Sequence, residues 1–258
     1  MTLAEWMEFA AEIGLDGVEC SPVLVQPRGK ATPAEFRRLA EANDLAVSNY
    51  TCYSDFTNPD PAQREREVGL MLDNVRAAKE MGSSLVRALT GQRRPEVSVP
   101  DGVRWAVEGI ARVAEAASGE GLQLVVENHG KAFVWTYFDF AQKGEVFGQV
   151  MAGLRGTSAG ILFDIANPLV AGESPLDLFE KVASQIKAVH VSDVSRPGTF
   201  EFVPCGTGIA PIEEVFRRLR ARGFDGWVAI EEASRTGKGG FRTAAKRTRE
   251  LWEQAGQP

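Results

Sequence analysis

The sequence predicts an α/β fold, a (β/α)8 TIM-type barrel whose first strand is apparently missing from the chain. Three observations lead to this prediction. Helical segments alternate strictly with short apolar segments. The apolar segments are nearly continuous, as in strands buried on both faces of a parallel sheet. The length of 258 residues suits one barrel, so residues 1–258 are interpreted as a single domain. An open doubly wound sheet is the alternative, but no G-x-G-x-x-G follows a first strand.

Seven short segments of high β propensity are predicted as strands: 17–21, 45–50, 84–89, 122–127, 159–164, 186–191 and 227–231. Eight helices are interleaved with them. Most helices stop at Gly or Asn, which readily adopt the left-handed conformation at a helix end. Two begin with capping boxes, Thr2-x-x-Glu5 and Thr32-Pro33-x-Glu35, in which side chains satisfy free backbone N–H groups.

The count of strands is one short of a complete barrel. Thr2 already caps a helix, so no room is left ahead of it for a strand. A missing strand would leave unpaired backbone on two neighbours, which natural proteins avoid. The true start codon could lie upstream, or the barrel could be open or otherwise patched. We favour the upstream start and expect seven strands with a gap between 17–21 and 227–231.

Composition and charge exclude several classes of protein. The chain is 44% hydrophobic with a net charge of −6, which argues against a nucleic-acid partner. The Arg-rich segment 216–223 is interpreted as a solvated helix face. No apolar run is long enough to span a membrane, and no basic leader is present. Cys20, Cys52 and Cys205 are expected to be free thiols. We predict a cytoplasmic protein, a small-molecule substrate and a possible homo-oligomer.

Four predicted strands end on ionisable residues: Glu127, Asp164, His190 and Glu231. Active sites of such barrels lie at the carboxyl ends of the strands. Any one of these residues alone is more typical of a cap or an ion pair. Three converging carboxylates would repel one another, and a divalent cation would remove that repulsion. The donor set favours Mn²⁺, with Mg²⁺, Co²⁺ or Zn²⁺ as alternatives.

Six motifs along the chain resemble those of one superfamily. They are GLDGVE (14–19), LVVENHG (124–130), FDIANP (163–168), AVHVSD (188–193), CGTG (205–208) and WVAIEE (227–232). The chain resembles the xylose-isomerase-like barrels, in the sugar phosphate isomerase/epimerase branch. That branch includes ketose 3-epimerases, inosose isomerases and inosose dehydratases.

The resemblance implies roles for particular residues. It places the metal ligands on Glu127, Asp164, His190 and Glu231, and a substrate-binding arginine on Arg196. Two positions depart from the pattern of the ketose epimerases. Asn167 stands where many of them have a histidine, and Ser192 stands in place of a frequent lysine. Both departures weaken the epimerase assignment in particular.

Other polar residues are candidates for substrate binding, alongside Asn167. His129 either replaces one of the lost functions or lies at the rim and bonds to backbone. Arg87 either reaches the pocket or pairs with Glu19.

Aromatic side chains in the loops after the strands are a further set of candidates: Trp135, Phe133, Tyr53 and Phe56. They either pack on a sugar face or act as lid packing. The CGTG loop is either an anion site at a helix start or a simple turn.

The leading functional hypothesis is a metal-dependent isomerase or epimerase of a keto-sugar or related polyol, acting through an enediolate. Glu127 and Glu231 would exchange protons with the substrate. A dehydratase or lyase on a keto-polyol or keto-glycoside is the alternative, with His129 as the acid. A non-catalytic barrel subunit is also possible. Two histidines and the negative charge nearly exclude the trinuclear zinc site of abasic-site endonucleases.

Overall fold

The computed structural model describes residues 1–256, which form a seven-stranded parallel sheet curved into a nearly closed barrel. The strands follow one another in chain order: β1 (Gly17–Cys20), β2 (Ala46–Thr51), β3 (Leu85–Ala88), β4 (Gln123–Glu127), β5 (Gly160–Asp164), β6 (Ile186–Val191) and β7 (Trp227–Ile230). The predicted number of strands and their approximate positions are confirmed. The described part of the chain contains no strand between β7 and β1, so the expected gap is present.

Helices connect the strands on the outside of the barrel. They are α1 (Leu3–Glu12), α2 (Pro33–Glu41), α3 (Pro61–Met81), α4 (Val99–Gly119), α5 (Gly144–Gly153), α6 (Asn167–Val170), α7 (Pro175–Val182), α8 (Ile212–Ala221) and α9 (Lys238–Gln254), with a 3₁₀ turn at Ala183–Gln185. The expectation of eight helices was wrong by one within residues 1–256. The extra helix, α6, is a single turn, and the side chain of Asp164 accepts the N–H groups of Ala166 and Asn167 at its start.

The predicted helix caps are present and explain where the helices begin. Both capping boxes form, with Thr2 and Thr32 accepting the backbone N–H of Glu5 and Glu35, respectively. At the other end of α3, Gly82 has a φ of 74°, a left-handed conformation that glycine adopts without steric cost. These local signals set the length of each helix and therefore the position of the strand that follows it.

The barrel interior is filled at its lower end by one layer of apolar side chains. Leu85, Val125, Leu162 and Ala188 form this layer, and Trp227 packs against it. The indole Nε1 of Trp227 donates to Ser84 Oγ at 3.2 Å. Because Trp227 lies on the last strand, its ring partly fills the space beside β1.

Two expectations about the surface and the thiols also agree with the structure. The arginines of α8 pair with acids on the exposed side of the helix, for example Arg218 with Glu214 and Glu180. The three cysteines are free and buried.

Among the helices of residues 1–256, none combines the length and the apolar character needed to cross a bilayer.

For Phe56 the structure decides between the two interpretations left open for the loop aromatics. Phe56 lies in the loop after β2, but its side chain is completely buried. A methyl group built on Gly109 of α4 would lie 2.4 Å from the Phe56 ring. Phe56 therefore anchors its loop to α4 and cannot contact a sugar.

This contact predicts opposite effects for two Gly→Ala substitutions in long helices. Gly109→Ala should destabilise the protein by about 1–2 kcal/mol, because overpacking forces the buried ring to move. Gly69→Ala in α3 meets no atom within 4 Å. It should stabilise by about 0.5–1 kcal/mol through helix propensity. Urea unfolding of both variants measures the difference; equal stabilities would contradict the tight contact.

Candidate metal centre

Four ionisable side chains meet at the carboxyl end of the barrel. Glu127 and Asp164 are the last residues of β4 and β5, His190 lies near the end of β6, and Glu231 directly follows β7. One ligand atom from each lies within 4.8 Å of the others. Parallel pairing brings them together, since Asp164 is directly opposite His190 in the β5–β6 ladder. The four residues singled out in the sequence therefore form one cluster.

His190 is oriented by a carboxylate that the sequence analysis did not include in the site. Its Nε2 lies 2.8 Å from Glu19 Oε2, and Asn49 donates to the other Glu19 oxygen. The Nδ1 of His190 faces the cluster, 3.4 Å from Glu127 Oε1 and 3.2 Å from Glu231 Oε2. Such a carboxylate–histidine pair is typical of metal sites, where it holds the imidazole in one orientation. In the sequence Glu19 was considered only within GLDGVE and as a possible partner of Arg87, although it lies next to the end of β1, as His190 lies next to the end of β6.

Glu127 is held by Arg87 on the neighbouring strand. Arg87 NH1 donates to Glu127 Oε2 at 2.6 Å, and both side chains are buried. The remaining guanidinium bonds go to the backbone oxygens of Cys52 and Thr51. The alternative of a rim ion pair between Arg87 and Glu19 is not what the structure shows; the partner is Glu127. Arg87 fixes one carboxylate oxygen and leaves Oε1 directed at the cluster.

Asp164 is positioned by hydrogen bonds with two residues, Ser192 and Asn128. Ser192 Oγ lies 2.8 Å from Oδ2 and 3.0 Å from Oδ1 of Asp164. Asn128 pairs with the backbone of Asp164 through both its amide oxygen and its amide nitrogen. Ser192, noted earlier only as the loss of a lysine, is therefore a hydrogen-bond donor that orients an acid of the cluster.

Burial and neighbouring charges shift the pKa values of these groups, in opposite directions for Glu127 and His190 and in the same direction for Asp164. Burial opposes ionisation of Glu127, but Arg87 and His190 outweigh it and hold the pKa of Glu127 well below its usual range. Burial, followed by the negative charges of Glu231 and Glu127, raises the pKa of Asp164 to about 7. Burial would lower the pKa of His190, yet Glu19 and Glu127 raise it well above its ordinary value. Without a cation, the cluster therefore retains protons near neutral pH.

The arrangement of the donor atoms fits a divalent cation. Among the described residues, Glu127 Oε1 and His190 Nδ1 are buried atoms without a hydrogen-bond partner. Leaving such groups unpaired costs about 1–3 kcal/mol each, and both lie within the shared cluster. Oxygen and imidazole ligands lie about 2.0–2.2 Å from ions such as Zn²⁺, so ligands of one ion lie within about 4.4 Å of each other. The observed spacing is close to that limit.

His129 forms a second polar pair beside the cluster. Its Nδ1 lies 3.8 Å from Asp139 Oδ2. Asp139 is fully buried, and its other oxygen accepts a hydrogen bond from the Thr90 hydroxyl. Burial lowers the pKa of His129, but Asp139 and Glu127 reverse this and leave it raised. The His129 ring makes no hydrogen bond to the described backbone, so the expected bond to backbone was wrong. Asp139 could not be found from the sequence, because it lies in a loop without periodic pattern.

Arg196 and Asn167, two other residues predicted to bind substrate, differ in their relation to the cluster: the backbone N–H of Asn167 donates to Asp164. Arg196 is 65% exposed and pairs with Glu201. Asn167 begins α6, and its side-chain oxygen lies beside Gly130. The structure does not bring Arg196 into the group of four, and its role in substrate binding remains a prediction.

The loop aromatics divide into a buried and an exposed set. Trp135 is almost buried and its ring packs edge-on against His129, with centroids 6.0 Å apart. Phe133 is 74% exposed and meets Tyr53 edge-on. Tyr53 in turn covers the Arg87 guanidinium at 4.8 Å. Tyr53 and Phe133 therefore remain candidates for packing against a sugar, whereas Trp135 supports the His129 ring.

The CGTG loop is already occupied by a carboxylate of the same chain. The side chain of Asp193 accepts the backbone N–H groups of Gly206, Gly208 and Ala210. A methyl group on Gly208 would lie 2.4 Å from Asp193 Oδ1. Of the two interpretations left open for this loop, the structured turn is correct, because Asp193 takes the place of an external anion.

Comparison with known proteins identifies the family. The family model of the xylose isomerase-like TIM barrels matches residues 7–253. The chain belongs to this family. The match covers nearly the whole sequence, and the resemblance drawn from the six motifs is confirmed.

Individual relatives are distant and differ in their chemistry. An inosose dehydratase from Lacticaseibacillus casei is 23% identical over 139 residues, which cover 48% of this chain and 44% of the dehydratase. The fructoselysine 3-epimerase of Escherichia coli O157:H7 is 22% identical, covering 86% of this chain and 82% of the epimerase. The chain thus matches less than half the length of the dehydratase. Relatives include both isomerising and dehydrating enzymes.

A solved structure shows the same fold. The 3-keto-D-glucoside 4-epimerase of E. coli superposes with a TM-score of 0.76 at 16% identity, covering 97% of this chain and 94% of that protein. At this identity the likeness supports the fold alone.

The protonation of the cluster predicts how cation binding depends on pH. A bound cation must displace protons from Asp164 and His190, because both have raised pKa values in its absence. Apparent Mn²⁺ affinity should therefore rise between pH 6 and pH 8, by up to about tenfold per pH unit for each proton released. Calorimetric titration in two buffers of different ionisation enthalpy measures both the affinity and the proton release. An affinity independent of pH would contradict this assignment.

The Glu19–His190 pair predicts that removing the Glu19 carboxylate weakens Mn²⁺ binding although all four proposed ligands are retained. Glu19→Gln should weaken Mn²⁺ binding about 10–100-fold, the usual effect of removing a residue that orients a ligand. Glu41→Gln, an exposed i,i+4 partner of Arg37, is the matched control and should bind Mn²⁺ normally. Identical titrations of the two variants would show that Glu19 does not act through His190.

Proposed function

We propose that the protein is a metal-dependent isomerase or epimerase that moves a proton next to the carbonyl of a keto-sugar or related polyol. The observation that carries the proposal is the pair of unpartnered buried atoms, Glu127 Oε1 and His190 Nδ1, within a cluster of four suitable ligands. Membership of a family with sugar epimerases among its members supports the substrate class.

In this proposal Glu127, Asp164, His190 and Glu231 hold the divalent ion, Mn²⁺ by preference. When bound, such an ion polarises a carbonyl and stabilises the negative charge of an enediolate. The protein supplies the fixed positions of the donors, through Arg87, Ser192 and Glu19. Preorganised groups of this kind need no rearrangement during the reaction.

The two glutamates differ in their freedom to exchange protons. Glu127 is fully buried and tied to Arg87, whereas the side chain of Glu231 is 48% exposed. We therefore assign the removal of the substrate proton to Glu231. In an epimerisation Glu127, whose pKa is held low, first takes a proton from solvent and then delivers it on the opposite side, or solvent supplies that proton directly. General acid–base catalysis of this type contributes about 10²–10⁴-fold to the rate.

A second candidate function is favoured by the His129–Asp139 pair. Burial lowers the pKa of His129, but Asp139 and Glu127 leave it raised, which favours the protonated imidazole, and the residue lies two positions beyond Glu127. A protonated histidine there could donate a proton to a leaving hydroxyl or glycosyl group, which makes the protein a dehydratase or lyase. The similarity to inosose dehydratase supports this alternative.

Proton exchange in heavy water tests the proposal directly. The Mn²⁺-loaded protein is incubated in D₂O with a panel of keto-sugars and inososes, and products are examined by mass spectrometry and NMR. An isomerase or epimerase gives carbon-bound deuterium, with a product of otherwise unchanged composition. Loss of water or of a glycosyl group instead identifies the lyase.

Substitutions separate catalysis from folding. Glu231→Gln should lower deuterium incorporation at least about 100-fold, because it removes a proton acceptor, and should retain the thermal transition of the unaltered protein. Glu213→Gln on the exposed face of α8 is the matched control and should be fully active. Full activity of the Glu231→Gln variant would overturn the assignment of the base.

A further inference from the structure

The carboxyl end of the barrel carries a group of exposed aromatic side chains that the proposed chemistry does not use. The described residues 1–256 expose four aromatic side chains: Phe133, Tyr137, Phe138 and Phe200. The first three lie in the loop after β4, and the fourth lies in the loop after β6. Apolar residues exposed singly are ordinary, but their concentration at one end of a molecule indicates a binding site.

The rings of Phe138 and Phe200 join the two loops. Their planes are parallel to within 6°, and their centroids are 6.2 Å apart. Parallel rings at this separation stack with an offset, so neither ring covers the whole of the other. The two residues remain 45% and 46% exposed. The Phe138–Phe200 pair therefore offers uncovered aromatic surface on which a further planar ring can stack.

Both loops are held in place by contacts of their backbones. The N–H of Arg93 donates to the carbonyl of Phe138 at 2.9 Å. The loop after β6 folds into a short hairpin, in which Val194 forms an antiparallel bridge with Phe202. Rings carried by fixed loops need little ordering when a ligand binds, which lowers the entropic cost of association.

The Phe138–Phe200 pair is continuous with the metal centre. Gly130 lies three residues after Glu127 in the chain. A methyl group built on Gly130 would lie 3.3 Å from the Phe200 ring and 3.1 Å from Asn167 Oδ1. The backbone N–H of Asn167 donates to Asp164 at 2.6 Å. Phe200 and Asn167 therefore meet at one point of the backbone, close in sequence to two of the proposed metal ligands.

We propose that Phe138 and Phe200 bind an aromatic substituent of the substrate, which makes the preferred substrate a keto-sugar joined to an aromatic group, such as an aryl glycoside. The inference rests on the proposed function, because the keto-sugar part occupies the metal centre. Asn167 then lies beside the polar sugar, and the substituent stacks on Phe200.

Two other occupants of this surface are less suited to it. A free monosaccharide carries hydroxyl groups on most of its carbon atoms, so it would leave the uncovered aromatic surface in contact with water. A second protein could bury the rings, but the contact of Phe200 with Gly130 and Asn167 places the pair at the edge of the metal centre. That position favours a part of the substrate.

Binding of unreactive glucosides tests the proposal without requiring catalysis. Phenyl β-D-glucopyranoside and methyl β-D-glucopyranoside carry the same sugar, lack the ketone and differ only in their substituent. We expect the Mn²⁺-loaded protein to bind the phenyl glucoside at least about tenfold more tightly, because ring stacking adds to the burial of apolar surface. NMR titration measures both affinities, and saturation transfer from the protein should be strongest to the phenyl protons.

Substitutions locate the binding site of the phenyl group. Phe200→Ala should abolish most of the preference for the phenyl glucoside. Leu70→Ala, at an exposed apolar residue of α3, is the matched control and should keep the full preference. Thermal unfolding verifies that both variants are folded. Equal affinity of the unaltered protein for the two glucosides, or a preference that survives Phe200→Ala, would overturn the proposal.

Failure of this inference and failure of the proposed function give different results. Carbon-bound deuterium in free keto-sugars, without a preference for the phenyl glucoside, would support the isomerase and overturn the aromatic subsite. A phenyl preference that Phe200→Ala abolishes, without deuterium in any keto-sugar, would support the subsite and overturn the proposed function. Sedimentation tests the remaining occupant. An oligomer that Phe200→Ala dissociates, together with equal binding of the two glucosides, would assign the rings to an interface between copies and overturn the proposal.

Discussion

The structure depends on the burial of like charges at one end of the barrel. Glu127 and Asp164 are buried within a few ångströms of each other and of Glu231, in surroundings where an unpaired carboxylate costs several kcal/mol. The Arg87 guanidinium offsets one of these charges, and the imidazole of His190 lies between the others. In an ordinary core such buried like charges would destabilise the fold. A bound divalent ion would neutralise them and remove this cost.

Residues around the cluster restrict it to one geometry. Asn128 ties β4 to β5 through the backbone of Asp164, and Ser192 on β6 donates to the carboxylate of the same residue. Glu19 on β1 reaches the far nitrogen of His190, so strands from opposite ends of the chain meet at one imidazole. The departures from the epimerase pattern therefore leave the four residues of the cluster and the hydrogen bonds around them in place. At Ser192 a hydrogen bond to the Asp164 carboxylate takes the place of the frequent lysine of that pattern.

The open side of the barrel, between β7 and β1, exposes one residue of the cluster, Glu231. Trp227 fills the lower part of the gap with an indole that reaches Ser84, while the upper part leaves Glu231 accessible. The exposure of Glu231, on which its proposed role in proton transfer rests, thus marks the wall where the sheet is incomplete. Covering that wall would remove water from the cluster and strengthen each electrostatic interaction in it.

The sequence by itself determined the order of strands and helices, the caps and the four converging residues. These features depend on local signals: apolar periodicity, capping side chains, and ionisable residues placed at strand ends. Only the tertiary structure decided which side chains contact one another. Arg87 pairs with Glu127 instead of Glu19, Asp139 lies beside His129, and Asp193 fills the CGTG turn, because these contacts join segments whose distance along the chain carries no signal. Exposure was equally unpredictable: Phe56 is buried and Glu231 is open, since packing of neighbouring elements, not residue type, sets how much water reaches a loop.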